Sequence, residues 1–395
     1  MYGTQFKHYV LALSHRHGAL VTAQTLVAVA NTLANSFVLI YLVRMGMSEV
    51  QCALFILVCA VVPLMLTAFA SRTIVSNFSY SISTALISLA GYYLLLIVLD
   101  GWALVLIPPA FFGVYIVTFW VPYNALIMHI TSKKKRGASI GLYFLIFPMV
   151  SVVTPLLGGA VISSASYDLL FGVAAAVVLA NLFFISGFRV LRKLRERIII
   201  PELLQSLRVN LVGRLQMDLD MRPVDWRLRI ALFAEGVQDG IFWVFVPLMS
   251  FEFAENELSV GGYLSLFAFW GAVMTVGLGY LSDRLKDRAH LVRIGAAFSA
   301  VSIILVVQAT TPEQYASAMS LAYFWIAVVP SFLFTMLLDK LERYKKKGVL
   351  IREFLLNAGR TVGVLILIGL LLLGVDISLS MIVAGIATAA IVIVK

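Results

Sequence analysis

Twelve apolar runs, each about as long as a helix that crosses a bilayer, fill most of this chain. They lie near residues 18–43, 49–70, 78–99, 102–128, 137–163, 167–188, 228–251, 260–281, 290–309, 314–338, 349–373 and 376–394. A backbone in hydrocarbon must bond every N–H and C=O internally, which leaves helices or closed barrels. Runs of about 20 residues, rather than about ten, select helices. Of the 395 residues, 61% are hydrophobic and 13% charged, about half the charge of a soluble domain. The expected fold is an all-α integral membrane protein with twelve transmembrane helices.

The one long polar stretch, Arg189 to Arg227, separates the sixth run from the seventh. The chain therefore divides into an N-terminal six-helix bundle over 1–190, a basic linker over 191–227 and a C-terminal six-helix bundle over 228–395. Leucines recur among the linker arginines at near-helical spacing, the pattern of an amphipathic helix lying on anionic membrane lipids. Basic clusters occupy one set of loops: Lys133 to Arg136, Arg189 to Arg197, Arg284 to Arg293 and Arg343 to Lys347. The alternate loops carry Asp100, Asp168, Glu252, Glu255, Glu257, Glu313 and Asp376, with Arg44 the main exception. This alternation places both termini in the cytoplasm of a multi-pass protein of the cell membrane. It also accounts for the net charge of +10 without nucleic acid. Cys52 and Cys59, both inside one run, read as small core residues. The first run is long enough to span and is read as retained, not as a cleaved signal.

Charge inside a run is costly, so it marks function or a buried partner. The seventh run holds Glu235 and Asp239, four residues apart and therefore on one helix face. Asn31 and Asn35 precede them by the same 204 residues, in the first run. The two halves thus read as parallel repeats, with both ends of each half on the same side of the membrane. Arg360 stands in the eleventh run, as the one buried basic residue expected. At 1.5 Å per residue, Asp239 and Arg360 both lie about 16 Å deep, near mid-bilayer. Arg360 is expected to pair with Asp239 or Glu235, and the other carboxylate can then load and release a proton.

Between the eighth and ninth runs, Gly279, Leu281, Ser282, Asp283, Arg284 and Arg288 match the pattern G-x-L-[AS]-D-R-x-G-R-[KR], with Lys286 at the second glycine. The chain resembles the major facilitator superfamily in this motif and in its six-plus-six organisation. The resemblance implies a conformational latch at Gly279, Asp283, Arg284 and Arg288. The first-half counterpart, Ala70-Ser71-Arg72-Thr73, has no aspartate. In the fifth run, Thr154-Pro155-Leu156-Leu157-Gly158-Gly159 is similar to the G-P-x-x-G-G kink of the family's antiporters, with Thr154 at the first glycine. Pro155 removes a backbone bond, and Gly158 and Gly159 permit close packing. The fourth run, Pro108 to Met128, lacks the arginine of the family's drug antiporters.

The resemblance further implies that the first, fourth, seventh and tenth helices line a central path. Here these carry Gln24, Asn31 and Asn35; Tyr115, Trp120, Tyr123 and Asn124; Glu235, Gln238, Asp239 and Trp243; and Tyr323, Trp325 and Ser331. The function expected is secondary transport of a small organic solute by alternating access, as proton-coupled export (antiport). Uptake of an anionic metabolite at Arg360 is the alternative, and a transport-inactive sensor with the same fold is another. No G-x-x-x-x-G-K-[ST] phosphate loop is present, and the five histidines sit at or near helix ends. No enzyme activity, cofactor or metal is expected. The partners expected are the solute, protons and lipids, on a monomer.

Overall fold

The computed structural model describes residues 18–76, 78–130, 136–187, 221–222, 224–254, 256–282, 288–341 and 345–394. The first half comprises α1 (Gly18–Ala34), α2 (Val38–Arg44), α3 (Glu49–Ser76), α4 (Phe78–Val98), α5 (Gly101–Ile130), α6 (Arg136–Ser151), α7 (Thr154–Ser164) and α8 (Tyr167–Gly187). The second comprises α9 (Trp226–Glu252), α10 (Glu257–Ser282), α11 (Arg288–Val306), α12 (Pro312–Ile326), α13 (Val328–Lys340), α14 (Lys345–Leu372) and α15 (Ser380–Ala390). Three pairs are single spans in two pieces: α1 with α2, α6 with α7, and α12 with α13. Among the described residues, eleven helical segments are long and apolar enough to cross a membrane. Ile377–Ile393, built on α15, is a shorter twelfth. The spans follow the apolar runs closely. Much of the linker (188–220 and 223) lies outside the described residues.

Two of the breaks have one cause. A proline clashes with the carbonyl four residues earlier and lacks the N–H that would bond it. Pro155 stands four residues after Ser151, where α6 ends, and Pro330 four residues after Ile326, where α12 ends. The first span breaks without proline, at a 3₁₀ turn over Asn35–Phe37. There the hydroxyls of Thr32 and Ser36 donate to the carbonyls of Ala28 and Thr32, back-bonding that bends helices.

Spans 2 and 11 pack across the two halves, and so do spans 5 and 8. Exchanging the halves converts one pair into the other, as a two-fold relation between parallel six-helix units requires. Glycine sets the closeness of these contacts. A β-carbon on Gly159 would strike the Glu257 carbonyl, and one on Gly261 the Pro155 carbonyl. Within the second half, Gly236, Gly240, Gly359 and Gly363 bring α9 and α14 into backbone contact.

We expect Gly359→Val to lower stability by about 2 kcal/mol or more, since overpacking has nowhere to relax against the Phe233 carbonyl. Gly369→Val, where nothing lies within 4 Å, serves as the control. Equal melting temperatures for the two variants in detergent would refute the close-contact account.

Candidate functional site

A cavity of about 500 Å³ lies between the halves, walled by spans 1, 2, 4, 5, 7, 8, 10 and 11. Its first-half wall is polar but uncharged. The Asn31 amide donates to Tyr115 Oη at 3.1 Å and to the Val27 carbonyl at 3.0 Å. Its own Oδ1 is buried at the cavity wall without a partner. Tyr92 Oη donates to Asn35 Oδ1 at 2.6 Å, and Tyr123 Oη to Gln24 Oε1 at 2.5 Å. Gln24 Nε2 in turn donates to the Tyr143 carbonyl. Phe112, Tyr115, Phe119 and Tyr123 recur at helical spacing on α5 and form a continuous aromatic ladder.

The second-half wall carries charge because α9 and α14 approach closely enough to pair it. Arg360 Nε and Nη2 reach Asp239 Oδ2 at 2.7 and 2.6 Å, and Nη1 donates to Asn357 Oδ1 at 3.0 Å. The same guanidinium lies 4.3 Å from the centroid of the Trp243 ring. Two turns nearer the basic end, Arg352 meets Glu353 at 2.9 Å and Glu235 at 3.4 Å, and lies over Phe334. Glu235 Oε2 and Arg352 Nε are buried without partners.

A model of the major facilitator superfamily matches residues 20–344. The chain belongs to the major facilitator superfamily. It is a secondary transporter by family and fold. It is 24% identical over 390 residues to the uncharacterized protein YqgE of Bacillus subtilis (strain 168), covering 93% of this chain and 86% of that one. Its fold is similar to the human organic anion transporter MFSD10 (TETRAN), with a TM-score of 0.64 at 15% identity over 97% of this chain and 100% of that one. FucP, a transporter of the superfamily solved in the outward conformation, gives 0.64 at 14% identity over 95% and 96% of the two chains. At these identities the solved structures speak for the superfamily fold alone.

Seen as a member of that superfamily, the chain departs from its own sequence pattern in several places. Arg360 is not the one buried basic residue: Arg352 is 7% exposed. It stands at the start of the eleventh run with Glu353 beside it, where such residues usually meet water. Asn31, Asn35, Tyr115, Asn124, Tyr323 and Arg360 line the cavity, whereas Glu235, Gln238 and Asp239 do not. Glu235 is buried beside Arg352, whereas the Asp239 side chain is 31% exposed, more than its partner Arg360 at 12%. Trp325 stacks on Phe298 of span 9 instead. Asp283 and Arg284 lie outside the described residues, and Gly279 and Arg288 fall within the flanking helices α10 and α11. Pro155, Gly158 and Gly159 form the span 5 break and its contacts.

Contacts between the halves bracket the cavity. At the acidic end, Glu257 Oε1 accepts from Arg44 Nε and from Tyr167 Oη, both at 3.0 Å. Arg44 also lies 4.8 Å from the Phe251 ring centroid. Toward the basic end, Val117 and Val121 of α5 cluster with Phe334 and Leu338 of α13 and Val349 of α14.

Removing Arg352 leaves two buried carboxylates uncompensated, so Arg352→Met is expected to cost about 3–5 kcal/mol. Urea denaturation in detergent measures it, and wild-type stability in that variant would refute the pairing. At the acidic end, Glu257→Gln weakens the tie to Arg44 and Tyr167. Cys59, buried at the cavity wall, is then expected to react several times faster with a membrane-impermeant thiol reagent in a Cys52→Ser background. An unchanged rate would show that the tie does not hold that end closed.

Proposed function

We propose that the protein is a proton-coupled antiporter exporting a small organic solute across the cell membrane, with both termini cytoplasmic. One observation carries the reading. Among the described residues, buried Glu235 and Glu353 both pair with Arg352, and the partly exposed Asp239 pairs with Arg360. Three carboxylates against two guanidiniums leave one negative charge in excess. Uncompensated charge at depth is costly, and a proton is the smallest ligand that cancels it. Glu235 and Glu353 share Arg352, so a proton can occupy that pair while Asp239 keeps Arg360. The domains then rock about the cavity, with the span 2–11 and span 5–8 contacts as bearings. The loop holding Asp283 and Arg284 serves as the latch at the basic end.

A second reading is uptake of an anionic metabolite with a proton. It draws on Arg352 and Arg360 standing at the cavity wall.

Proteoliposomes with a trapped pH dye test the coupling. A solute-dependent pH change of antiport sign, lost in Glu353→Gln, supports the proposal. A change of opposite sign supports uptake. Solute movement without a pH change overturns proton coupling, and no movement of any solute supports a sensor.

A further inference from the structure

We infer that the cavity binds a protonated aromatic amine, in competition with the proton of the Glu235–Arg352–Glu353 group. This rests on the proton-coupled reading above and names its solute class.

Three independent features support it. The first is the charge balance. Among the described residues, Arg352, Glu353 and Arg360 are the charged residues on the cavity wall, and the arginines pair with Glu235 and Asp239. When unprotonated, this group carries one net negative charge, which a monocation cancels as well as a proton does. An anion would add to it. Facing the group from the other packed spans are Cys59 of span 2, Tyr115 and Tyr123 of span 4, Tyr143 of span 5 and Tyr323 of span 10, all neutral at physiological pH.

The second feature is the pattern of unpartnered atoms. Asn31 Oδ1 belongs to a side chain 8% exposed, lines the cavity and accepts from nothing. A buried carbonyl oxygen left unbonded is costly and calls for a donor. An ammonium N–H is such a donor, and a carboxylate is not. The third feature is the lining. Phe112, Tyr115, Trp120 and Tyr123 from one half face Phe242 and Tyr323 from the other. Aromatic faces attract cations and stack on flat rings.

The mechanism follows from mass action alone. With the proton on, the group is neutral and the amine is weakly held. With the proton off, the amine takes its place. Amine binding therefore strengthens as pH rises through the titration of the group, as long as the amine itself stays protonated.

Equilibrium binding of radiolabelled phenethylamine and of 3-phenylpropionate to the purified full-length protein in detergent tests this. The two probes share a ring and a short chain and differ in charge. We expect the amine to bind at least tenfold tighter, and tighter at pH 8 than at pH 6. Glu353→Gln should lower its affinity at least tenfold. Adding Arg352→Gln to that variant restores one uncompensated carboxylate and should restore most of the affinity, an outcome that a merely structural role for the pair does not predict. Preference for the propionate, no binding of either probe, or no rescue in the double variant overturns the assignment. Pump-like pH changes in proteoliposomes without amine preference would leave the coupling intact and remove only the solute class.

Discussion

Everything distinctive in the second half depends on the backbone contact between α9 and α14. Gly236, Gly240, Gly359 and Gly363 remove the β-carbons that would hold the helices apart. The result places Asp239 within 2.6 Å of Arg360 and Glu235 within 3.4 Å of Arg352, the second pair buried between the packed helices. Ion pairs in such a place survive only if their geometry is close and their remaining donors are satisfied. Arg360 meets both conditions through Asp239, Asn357 and Trp243. Arg352 meets them less fully, since its Nε has no partner. The weaker set is the better place for a proton to come and go.

The fold was legible because lipid leaves so little choice. A run of apolar residues long enough to cross can only be a helix, and its ends follow from the first charged residues. The proline breaks were half legible. Pro155 was read as a kink, yet Pro330 does the same in span 10, with α12 ending four residues before it. The site was legible only where charge interrupts a run. Arg360 is such an interruption. Arg352 and Glu353 escaped because sequence places them at a run's edge, where the same residues usually meet water. Burial there comes from neighbours on other spans, Phe334 among them, and no local pattern reports that.

The two halves share a frame and differ in its contents. Asn31 and Asn35 occupy the positions of Glu235 and Asp239 one repeat earlier. The asparagines find partners in Tyr115 and Tyr92, within their own half. The carboxylates find theirs in α14, also within their own half. Each polar network is therefore internal to one rocking body. No ion pair of the central cluster has to break when the halves move.

That separation constrains how the proposed coupling can work. If the cluster moves as part of one body, rocking alone cannot change its charge. The change must come from what enters the cavity between the bodies: a solute, a proton or both. By contrast, the Arg44–Glu257 bridge joins the halves directly, and Tyr167 strengthens it from the first-half side. It must part when the acidic end opens. Arg44 is half exposed, so water can take over its hydrogen bonds at modest cost, as exposed pairs allow. A strong pair holds charge inside one body and a weak pair joins the two. This division lets the molecule open without losing the buried charges that give opening its consequence.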